Sequence, residues 1–393
     1  MHPRVSTSRC CSPRRWSRRS PSAAPSRCCS ASCPRSWPAS PTSACWLSGA
    51  DIAGLSDRLR ALIRGLGPLR FDEYVEACLY DPAGGFYASG GAAGRRGDFI
   101  TSPEVGPLFG AVLARWMDGV WERLGRPDGF TVVEAGAGHG TLARSVLAAA
   151  PVCLVGGRYV AVERSDALRS DHPAGVESAT DLPDGPLTGV VVANELLDNL
   201  AFRLLEAGDG AWHEVRVGVG GDDLVEVVGE AVDLPGLPEP VGGARIPLQD
   251  KAAAWVNRAL GLLDRGAVLV FDYASTTADM ASRPWDEWLR TYRVHERGGH
   301  PLDAPGTQDV TVEVAFDRIP GTPTATTQAA FLRAHGIGDL VDEGRRLWEA
   351  GAARGDLAAL GARSRIAESE ALLDESGLGG FTAMEWTEGR LGS

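Results

Sequence analysis

The spacing of hydrophobic residues changes along the body of this chain. Between Leu55 and Tyr80, apolar residues recur three and four positions apart, which predicts helices. The same spacing predicts a helix over Glu104–Leu124 and a helical tail over Phe331–Arg365. Between Phe202 and Val227, apolar and polar residues alternate and glycines punctuate the pattern, which predicts an inserted antiparallel hairpin or meander.

Short continuous apolar runs predict four buried strands in the central region. The runs are Phe130–Glu134, Arg158–Glu163, Gly189–Asn194 and Gly266–Asp272, and a helix over Thr141–Ala150 is predicted after the first. Apolar strands that alternate with helices indicate a parallel sheet covered on both faces, and therefore an α/β fold. Each run ends in an acid or an amide, and such sheets bind ligands at the carboxyl ends of their strands.

Residues 1–50 differ in composition from the rest of the chain. They contain eight arginines, no lysine, no acid, thirteen serines and six of the eight cysteines. Such a segment buries too little apolar surface to offset its chain entropy, which predicts disorder. It resembles an organellar transit peptide, but a start codon placed too far upstream would give the same pattern. Its cysteines lack the paired C-x-x-C spacing of a metal site, and we predict no metal.

Charge and cysteine content narrow the function classes for residues 51–393. This part has 31 basic and 51 acidic residues, a net charge of −20, which argues against nonspecific nucleic-acid binding. No apolar run approaches the roughly 18 residues of a membrane-spanning helix, so we predict no membrane insertion. Two cysteines, Cys78 and Cys153, are too few for a disulfide framework. One lysine against 38 arginines indicates a GC-rich bacterial source and a cytoplasmic location, or a mitochondrial one if residues 1–50 are a transit peptide.

A glycine-rich loop after the first strand predicts a nucleotide site. Gly136, Gly138 and Gly140 would let a ligand approach the backbone at the start of a helix. The segment also satisfies the dinucleotide pattern G-x-G-x-x-G/A, but Glu134 before it suits the cationic end of S-adenosylmethionine better than a pyrophosphate. At the end of the next strand, Glu163 is placed to accept hydrogen bonds from both ribose hydroxyls, whether the ligand is a dinucleotide or S-adenosylmethionine. The alternative for Glu163 is a solvated acid at a strand end.

The segment after the third strand carries the candidate acceptor residues. The amide of Asn194 could bond the amino-acid part of the cofactor. Glu195 and Asp198 lie three positions apart and could together grip a guanidinium and orient its nitrogen. The alternative is a helix cap in which Asn194 or Asp198 stabilises the N-terminus and Glu195 interacts with the helix dipole.

Several longer motifs identify a resemblance to a known family. The chain resembles the MidA family, which includes the mitochondrial complex I assembly arginine methyltransferase, from Phe71 to the C-terminus. The motifs that carry the resemblance are Leu79–Pro82, Gly85–Tyr87, Gly97–Glu104, Val133–Leu142, Ala193–Asp198, Leu269–Tyr273, Pro305–Thr311, Phe331–Leu332 and Gly336–Ile337. The run Gly-Asp-Phe-Ile-Thr-Ser-Pro-Glu at 97–104 is the most specific of them.

The resemblance implies a class I, Rossmann-like methyltransferase fold that binds S-adenosylmethionine. Its sheet would have helices on both faces, an N-terminal helical segment and an inserted antiparallel β region. Residues 98–104, with Thr101 and Ser102, would close over the cofactor cleft, and the alternative for them is a structural turn. The implied divisions are residues 51–128 for the helical segment with its covering loop, 129–200 for the cofactor-binding core, 201–248 for the β insertion and 249–393 for the rest of the core and a helical substrate region.

A protein arginine is the acceptor that the resemblance implies, and a subunit of respiratory complex I is a candidate partner. The chain departs from the family at Ala135, Ala137, His139, Leu196–Leu197 and Ala201; these departures remove none of the candidate carboxylates but allow a different acceptor pocket. Three other functions stay open: a small-molecule N- or O-methyltransferase, a noncatalytic assembly factor, and a nicotinamide-dependent oxidoreductase. The last would explain the glycines but not Asn194–Glu195.

Overall fold

The computed structural model describes residues 54–88, 101–293, 296–352 and 357–388, all within one compact unit. The predicted leader, residues 1–50, lies outside the described residues. So do residues 98–100 of the predicted covering segment.

Helices occupy the segments whose apolar residues recur at helical spacing. They are α1 (Leu55–Leu66), α2 (Phe71–Tyr80), α3 (Ser102–Val105), α4 (Pro107–Arg123), α5 (Thr141–Ala149), α6 (Asp166–Arg169), α7 (Asp250–Leu262), α8 (Thr277–Ser282), α9 (Trp285–Trp288), α10 (Gln328–Ala334), α11 (Ile337–Gly351) and α12 (Leu357–Leu373), with 3₁₀ turns at Val152–Leu154, Leu197–Asn199, Phe316–Arg318 and Leu378–Gly380. In the described part of the chain, no helix combines the length and the apolarity needed to cross a membrane.

The strands of the described residues fall into four sheets. They are β1 (Leu69–Arg70), β2 (Thr131–Ala135), β3 (Arg158–Val162), β4 (Glu177–Ala179), β5 (Leu187–Asn194), β6 (Arg203–Gly208), β7 (Ala211–Gly220), β8 (Asp223–Val232), β9 (Arg245–Leu248), β10 (Leu263–Asp272), β11 (Ala274–Ser275), β12 (Leu289–Arg293), β13 (Glu296–Arg297), β14 (Asp309–Val312), β15 (Val314–Ala315), β16 (Thr324–Thr327) and β17 (Thr382–Glu388).

The largest sheet has the order β16-β17-β10-β5-β2-β3-β4. Its strands β4, β3, β2, β5 and β10 run parallel, and the four predicted apolar runs form four of them. β17 is antiparallel to β10, and β16 is antiparallel to β17. This architecture confirms the predicted Rossmann-like α/β class.

Apolar clusters on both faces explain why these strands are continuously hydrophobic. On one face, Val132 of β2 packs with residues of α4, α5, α10 and α11. On the other face, the neighbouring Val133 packs with Trp255 and other residues of α7. Since successive side chains of a strand point to opposite faces, both sets are buried.

The predicted antiparallel insertion is confirmed as a second sheet. β9, β6, β7 and β1 follow one another in this sheet, and β8 pairs with β7. Its apolar face packs against α1 and α2, together with residues of β12 and β14. The N-terminal helices are thereby fixed beside the chain that follows β5, which carries the predicted acceptor residues.

The helix predicted over Glu104–Leu124 is interrupted. It begins at Ser102, stops at Gly106 and restarts at Pro107. A Cβ atom at Gly106 would lie 2.3 Å from Cδ of Glu368, and an oxygen of that carboxylate accepts a hydrogen bond from the Leu108 N–H at 2.8 Å. A distant carboxylate therefore caps α4, which local spacing does not reveal.

Candidate active site

Two loops meet at the edge of the sheet where the strand order reverses, between β2 and β5. The loop after β2 contains the predicted glycines, and the loop after β5 contains the predicted acceptor residues. A Cβ atom at Gly136 would lie 3.1 Å from Cδ1 of Leu196, so the two loops are in close contact. Crevices at such a reversal are where open α/β sheets bind ligands.

The glycine loop and Glu163 form one hydrogen-bonded unit. Glu163 follows β3, and its carboxylate accepts the backbone N–H of Gly138 at 3.0 Å and that of Ser165 at 2.8 Å. These bonds fix the carboxylate beside the glycine loop. Each carboxylate oxygen keeps a second lone pair, which can accept a hydrogen bond from a ligand. A Cβ atom at Gly138 would have no atom of the described part of the chain within 4 Å. His139 lies at the surface and contacts Asp171 at 2.8 Å.

Glu134 lies beneath the glycine loop. Its side chain is 4% exposed, and its carboxylate accepts a hydrogen bond from the Tyr159 hydroxyl at 2.7 Å. The pKa of Glu134 is raised to about 7, chiefly by burial; the Tyr159 hydrogen bond lowers it and the negative charge of Glu163 raises it. The carboxyl group therefore changes charge near neutral pH.

Replacing Glu134 by glutamine should make the unfolding free energy less sensitive to pH. The folded pKa of about 7 exceeds the ordinary value of 4.5, so the wild type loses stability as the pH rises from 4.5 to 7. This loss amounts to about 3 kcal/mol and should be absent from Glu134→Gln. Urea unfolding at pH 4.5 and 8 measures the difference. Glu230→Gln, at an exposed position of β8, controls for the lost charge, and equal pH dependence in both variants would contradict this account.

Glu195 begins the loop after β5 in a strained backbone conformation. Its φ is 51°, and its N–H donates to the Phe271 carbonyl oxygen at 2.8 Å. The side-chain amide of Asn194 donates to the Glu195 carboxylate at 2.8 Å, and so does the backbone N–H of Ser102. Burial and the charge of Asp198 raise the pKa of Glu195 to about 8. Strained residues of this kind concentrate at functional sites.

Asp198 lies in the 3₁₀ turn Leu197–Asn199 and is 4% exposed. Burial and the charges of Asp272 and Asp309 raise its pKa well above the ordinary value. Its Oδ1 atom is buried and has no hydrogen-bond partner within the described ranges. The residue that caps this turn is Asp272, whose Oδ2 accepts the N–H groups of Leu197 at 2.9 Å and Asp198 at 3.2 Å. Neither Asn194 nor Asp198 serves as the helix cap considered from the sequence.

The predicted covering segment reaches both loops. Thr101 and Ser102 are buried, and the Ser102 hydroxyl donates to the side-chain oxygen of Gln328 at 2.9 Å. In the next turn, Glu104 accepts a hydrogen bond from the hydroxyl of Thr141, the first residue of α5, at 2.6 Å. The described part of this segment thus joins the start of the glycine-loop helix to Glu195.

Two further carboxylates at the site were not among the candidates from the sequence. Asp272 ends β10, and Asp309 begins β14; neither is exposed. The charge of Asp309 raises the pKa of both Glu195 and Asp198, and that of Glu195 raises the pKa of Asp272. Two features of the sequence point to these residues: Asp272 ends a predicted strand, and Asp309 lies within the motif Pro305–Thr311. In the described ranges, no lysine, arginine or histidine forms an ion pair with Glu195, Asp198 or Asp272, and no metal-binding cluster is found.

The site has the groups that S-adenosylmethionine requires. The open space at Gly138 lies beside a carboxylate that can accept ribose hydroxyls. The side-chain oxygen of Asn194 is buried, has no partner in the part of the chain that the structure describes, and can accept a hydrogen bond from an ammonium group. The carboxyl groups of Glu195 and Asp198 complement a sulfonium, because a nearby cation favours their ionised forms.

Comparison with known proteins agrees with this geometry. Residues 112–336, more than half of the chain, match the model of a family of S-adenosyl-L-methionine-dependent methyltransferases. The mitochondrial protein arginine methyltransferase NDUFAF7 homolog of Drosophila melanogaster is 28% identical over 306 residues, 67% of this chain and 68% of its own length. Its counterpart in Xenopus tropicalis is 27% identical over 328 residues, 70% of this chain and 74% of its own length.

A solved structure matches most of the chain. A protein of Burkholderia thailandensis bound to S-adenosyl-homocysteine superposes with a TM-score of 0.72 at 29% sequence identity. The match covers 86% of this chain and 93% of that one. A native structure from the same organism superposes with a TM-score of 0.71 at 28% identity, over 86% of this chain and 92% of its own.

Proposed function

This chain belongs to the family of S-adenosyl-L-methionine-dependent methyltransferases, and from that premise we propose that it methylates a guanidinium nitrogen of a protein arginine. One observation carries the proposal: buried carboxylates from three segments gather beside the cofactor crevice, where a cation would stabilise their ionised forms. The names of the Drosophila and Xenopus relatives point to the same acceptor.

In this proposal, Glu163 would accept hydrogen bonds from the ribose hydroxyls of the cofactor, and Gly136, Gly138 and Gly140 would let it approach the backbone. Asn194 accepts a hydrogen bond from its ammonium group. Glu134 supports the glycine loop indirectly. Its hydrogen bond to Tyr159 joins β2, which precedes the loop, to β3, which precedes Glu163. Thr101 and Ser102 shield the crevice from water. The segment that contains them bonds to α5 through Glu104 and to Glu195 through the Ser102 N–H, and it therefore lies across both loops.

Glu195 and Asp198 hold the acceptor. Two carboxylates can bind several guanidinium N–H groups and leave one nitrogen directed at the methyl carbon. S-adenosylmethionine supplies the methyl group on a cationic sulfur, which becomes a neutral thioether as the carbon–nitrogen bond forms. The reacting nitrogen must lose a proton, and Glu195 accepts it, since its raised pKa of about 8 makes it a stronger base than an ordinary carboxylate.

Methyl transfer to peptide libraries tests this function. The full chain is incubated with S-adenosylmethionine labelled in its methyl group and with arginine-centred, lysine-centred or citrulline-centred peptides. We expect label in the arginine library alone, because citrulline has the shape of arginine without its charge and lysine lacks its planar fork. Label in an added small-molecule pool but in no peptide would indicate a small-molecule methyltransferase. Binding of S-adenosylhomocysteine without any transfer would indicate a noncatalytic assembly factor.

A further inference from the structure

A third carboxylate reaches the acceptor side of the site from a distant part of the chain. Asp309 is the first residue of β14 and has no exposed surface. Its Oδ1 accepts the backbone N–H of Val310 at 3.0 Å, which fixes the orientation of the carboxylate. Its charge raises the pKa of Glu195 and of Asp198, so it lies within electrostatic range of both.

A tyrosine from the N-terminal segment lies between this carboxylate and the acceptor loop, and a second tyrosine stacks on the first. The hydroxyl of Tyr87 lies 3.3 and 3.4 Å from the two carboxylate oxygens of Asp309, and it donates to the side-chain oxygen of Asn199. Tyr80 stacks on Tyr87 at 5.5 Å with an interplanar angle of 20°, and its hydroxyl donates to the Asn199 carbonyl oxygen at 3.2 Å. Asn199 directly follows Asp198, so Tyr87 connects Asp309 to the acceptor turn.

Two buried polar atoms in this turn have unused hydrogen-bonding capacity. Among the described residues, Oδ1 of Asp198 and Nδ2 of Asn199 have no hydrogen-bond partner, although the two residues are only 4% and 7% exposed. Buried polar groups are nearly always satisfied, so a ligand that binds here is expected to donate a hydrogen bond to Oδ1 of Asp198, whereas Nδ2 of Asn199 is itself a donor and a guanidinium offers it no acceptor. A guanidinium has five N–H donors in a planar fork. Two carboxylates that each accept two N–H groups leave one donor for a further acceptor.

We propose that Asp309 contacts the acceptor guanidinium together with Glu195 and Asp198, and that Tyr87 positions Asp309. This inference rests on the proposed function and extends it to the selection of the acceptor. Three carboxylates in one buried site repel one another when ionised, and a bound cation relieves that repulsion. The third carboxylate therefore makes the site select a cationic acceptor over a neutral one of the same shape.

Kinetics of Asp309→Asn test the contact. Asparagine keeps an oxygen for the Val310 N–H and loses the charge, so the fold is preserved. For the arginine peptide that the wild type methylates fastest, KM should rise by about 10- to 100-fold, as expected for the loss of one charge-assisted hydrogen bond. The dissociation constant of S-adenosylhomocysteine, measured by calorimetry, should stay within about twofold of wild type. Asp303→Asn, at an exposed position on the preceding loop, is the matched control and should leave KM unchanged.

Tyr87→Phe tests the positioning role. The ring and its stacking on Tyr80 remain, and only the hydroxyl is lost, so KM should rise by less than in Asp309→Asn. In the double variant the two effects should not add, because both changes act on one carboxylate. A purely structural role would instead lower the melting temperature and leave KM unchanged.

The outcomes separate this inference from the function on which it rests. A wild type that methylates arginine peptides, beside an Asp309→Asn variant with wild-type KM and kcat, would overturn the inference and leave the proposed function standing. A wild type that binds S-adenosylhomocysteine but transfers no methyl group to any arginine would overturn both.

Discussion

Glu195→Gln is expected to lower the rate of methyl transfer by about 10³-fold, within the range for loss of a general base. Glutamine can take the same backbone conformation and can still accept the hydrogen bonds of Asn194 and Ser102. It cannot take up the proton that the reacting nitrogen must lose. The dissociation constant of S-adenosylhomocysteine should stay within about twofold of wild type, because the glycine loop and Glu163 are unchanged and glutamine keeps an oxygen for the side-chain amide of Asn194.

The reciprocal variant and the pH dependence complete this test. Glu163→Gln should weaken cofactor binding and affect the chemical step less. In the wild type, kcat/KM should increase as the pH rises through about 8, because Glu195 accepts a proton only when it is ionised. A Glu195→Gln variant that loses cofactor affinity and turnover equally would contradict the catalytic role and indicate that Glu195 maintains the loop.

The parts of the site that could be predicted from the sequence are those encoded locally. The apolar run of β2 and the glycines after it lie within about ten residues, and both follow from spacing and residue type. Asn194, Glu195 and Asp198 were identified because they follow a strand of the same sheet. They lie at the same edge of the sheet as the glycine loop because parallel strands end at one edge, and the alternation of apolar strands with helices already predicts a parallel sheet.

The site residues that the sequence does not predict are placed by contacts between distant segments. Asp272 caps the acceptor turn because β10 pairs with β5, with Phe271 opposite Asn194. Tyr87 and Asp309 are brought together by the packing of α2 against β14, which no local pattern encodes. β17 was missed for a similar reason: its residues Thr382–Glu388 include Ala, Met and Glu, which favour helices, but pairing with β10 makes them a strand.

Gly138→Ala is expected to weaken S-adenosylhomocysteine binding by about 100-fold. The φ of Gly138 is 51°, and a Cβ atom there would project into the open space beside Glu163 that we assign to the cofactor. A methyl group in a filled site costs about 3 kcal/mol, and each 1.4 kcal/mol corresponds to a tenfold change in affinity. Calorimetric titration of the full chain measures this loss.

Gly210→Ala separates this clash from backbone strain. Gly210 has a φ of 76°, and a Cβ atom there would also meet nothing within 4 Å, but the residue lies in the exposed turn between β6 and β7. Both alanines should therefore lower the melting temperature by a similar amount, since an L-residue at positive φ costs about 1 kcal/mol. Only Gly138→Ala should reduce the affinity for the cofactor product. Equal affinity in the two variants would mean that the space at Gly138 is open to solvent and that the cofactor binds elsewhere in the crevice.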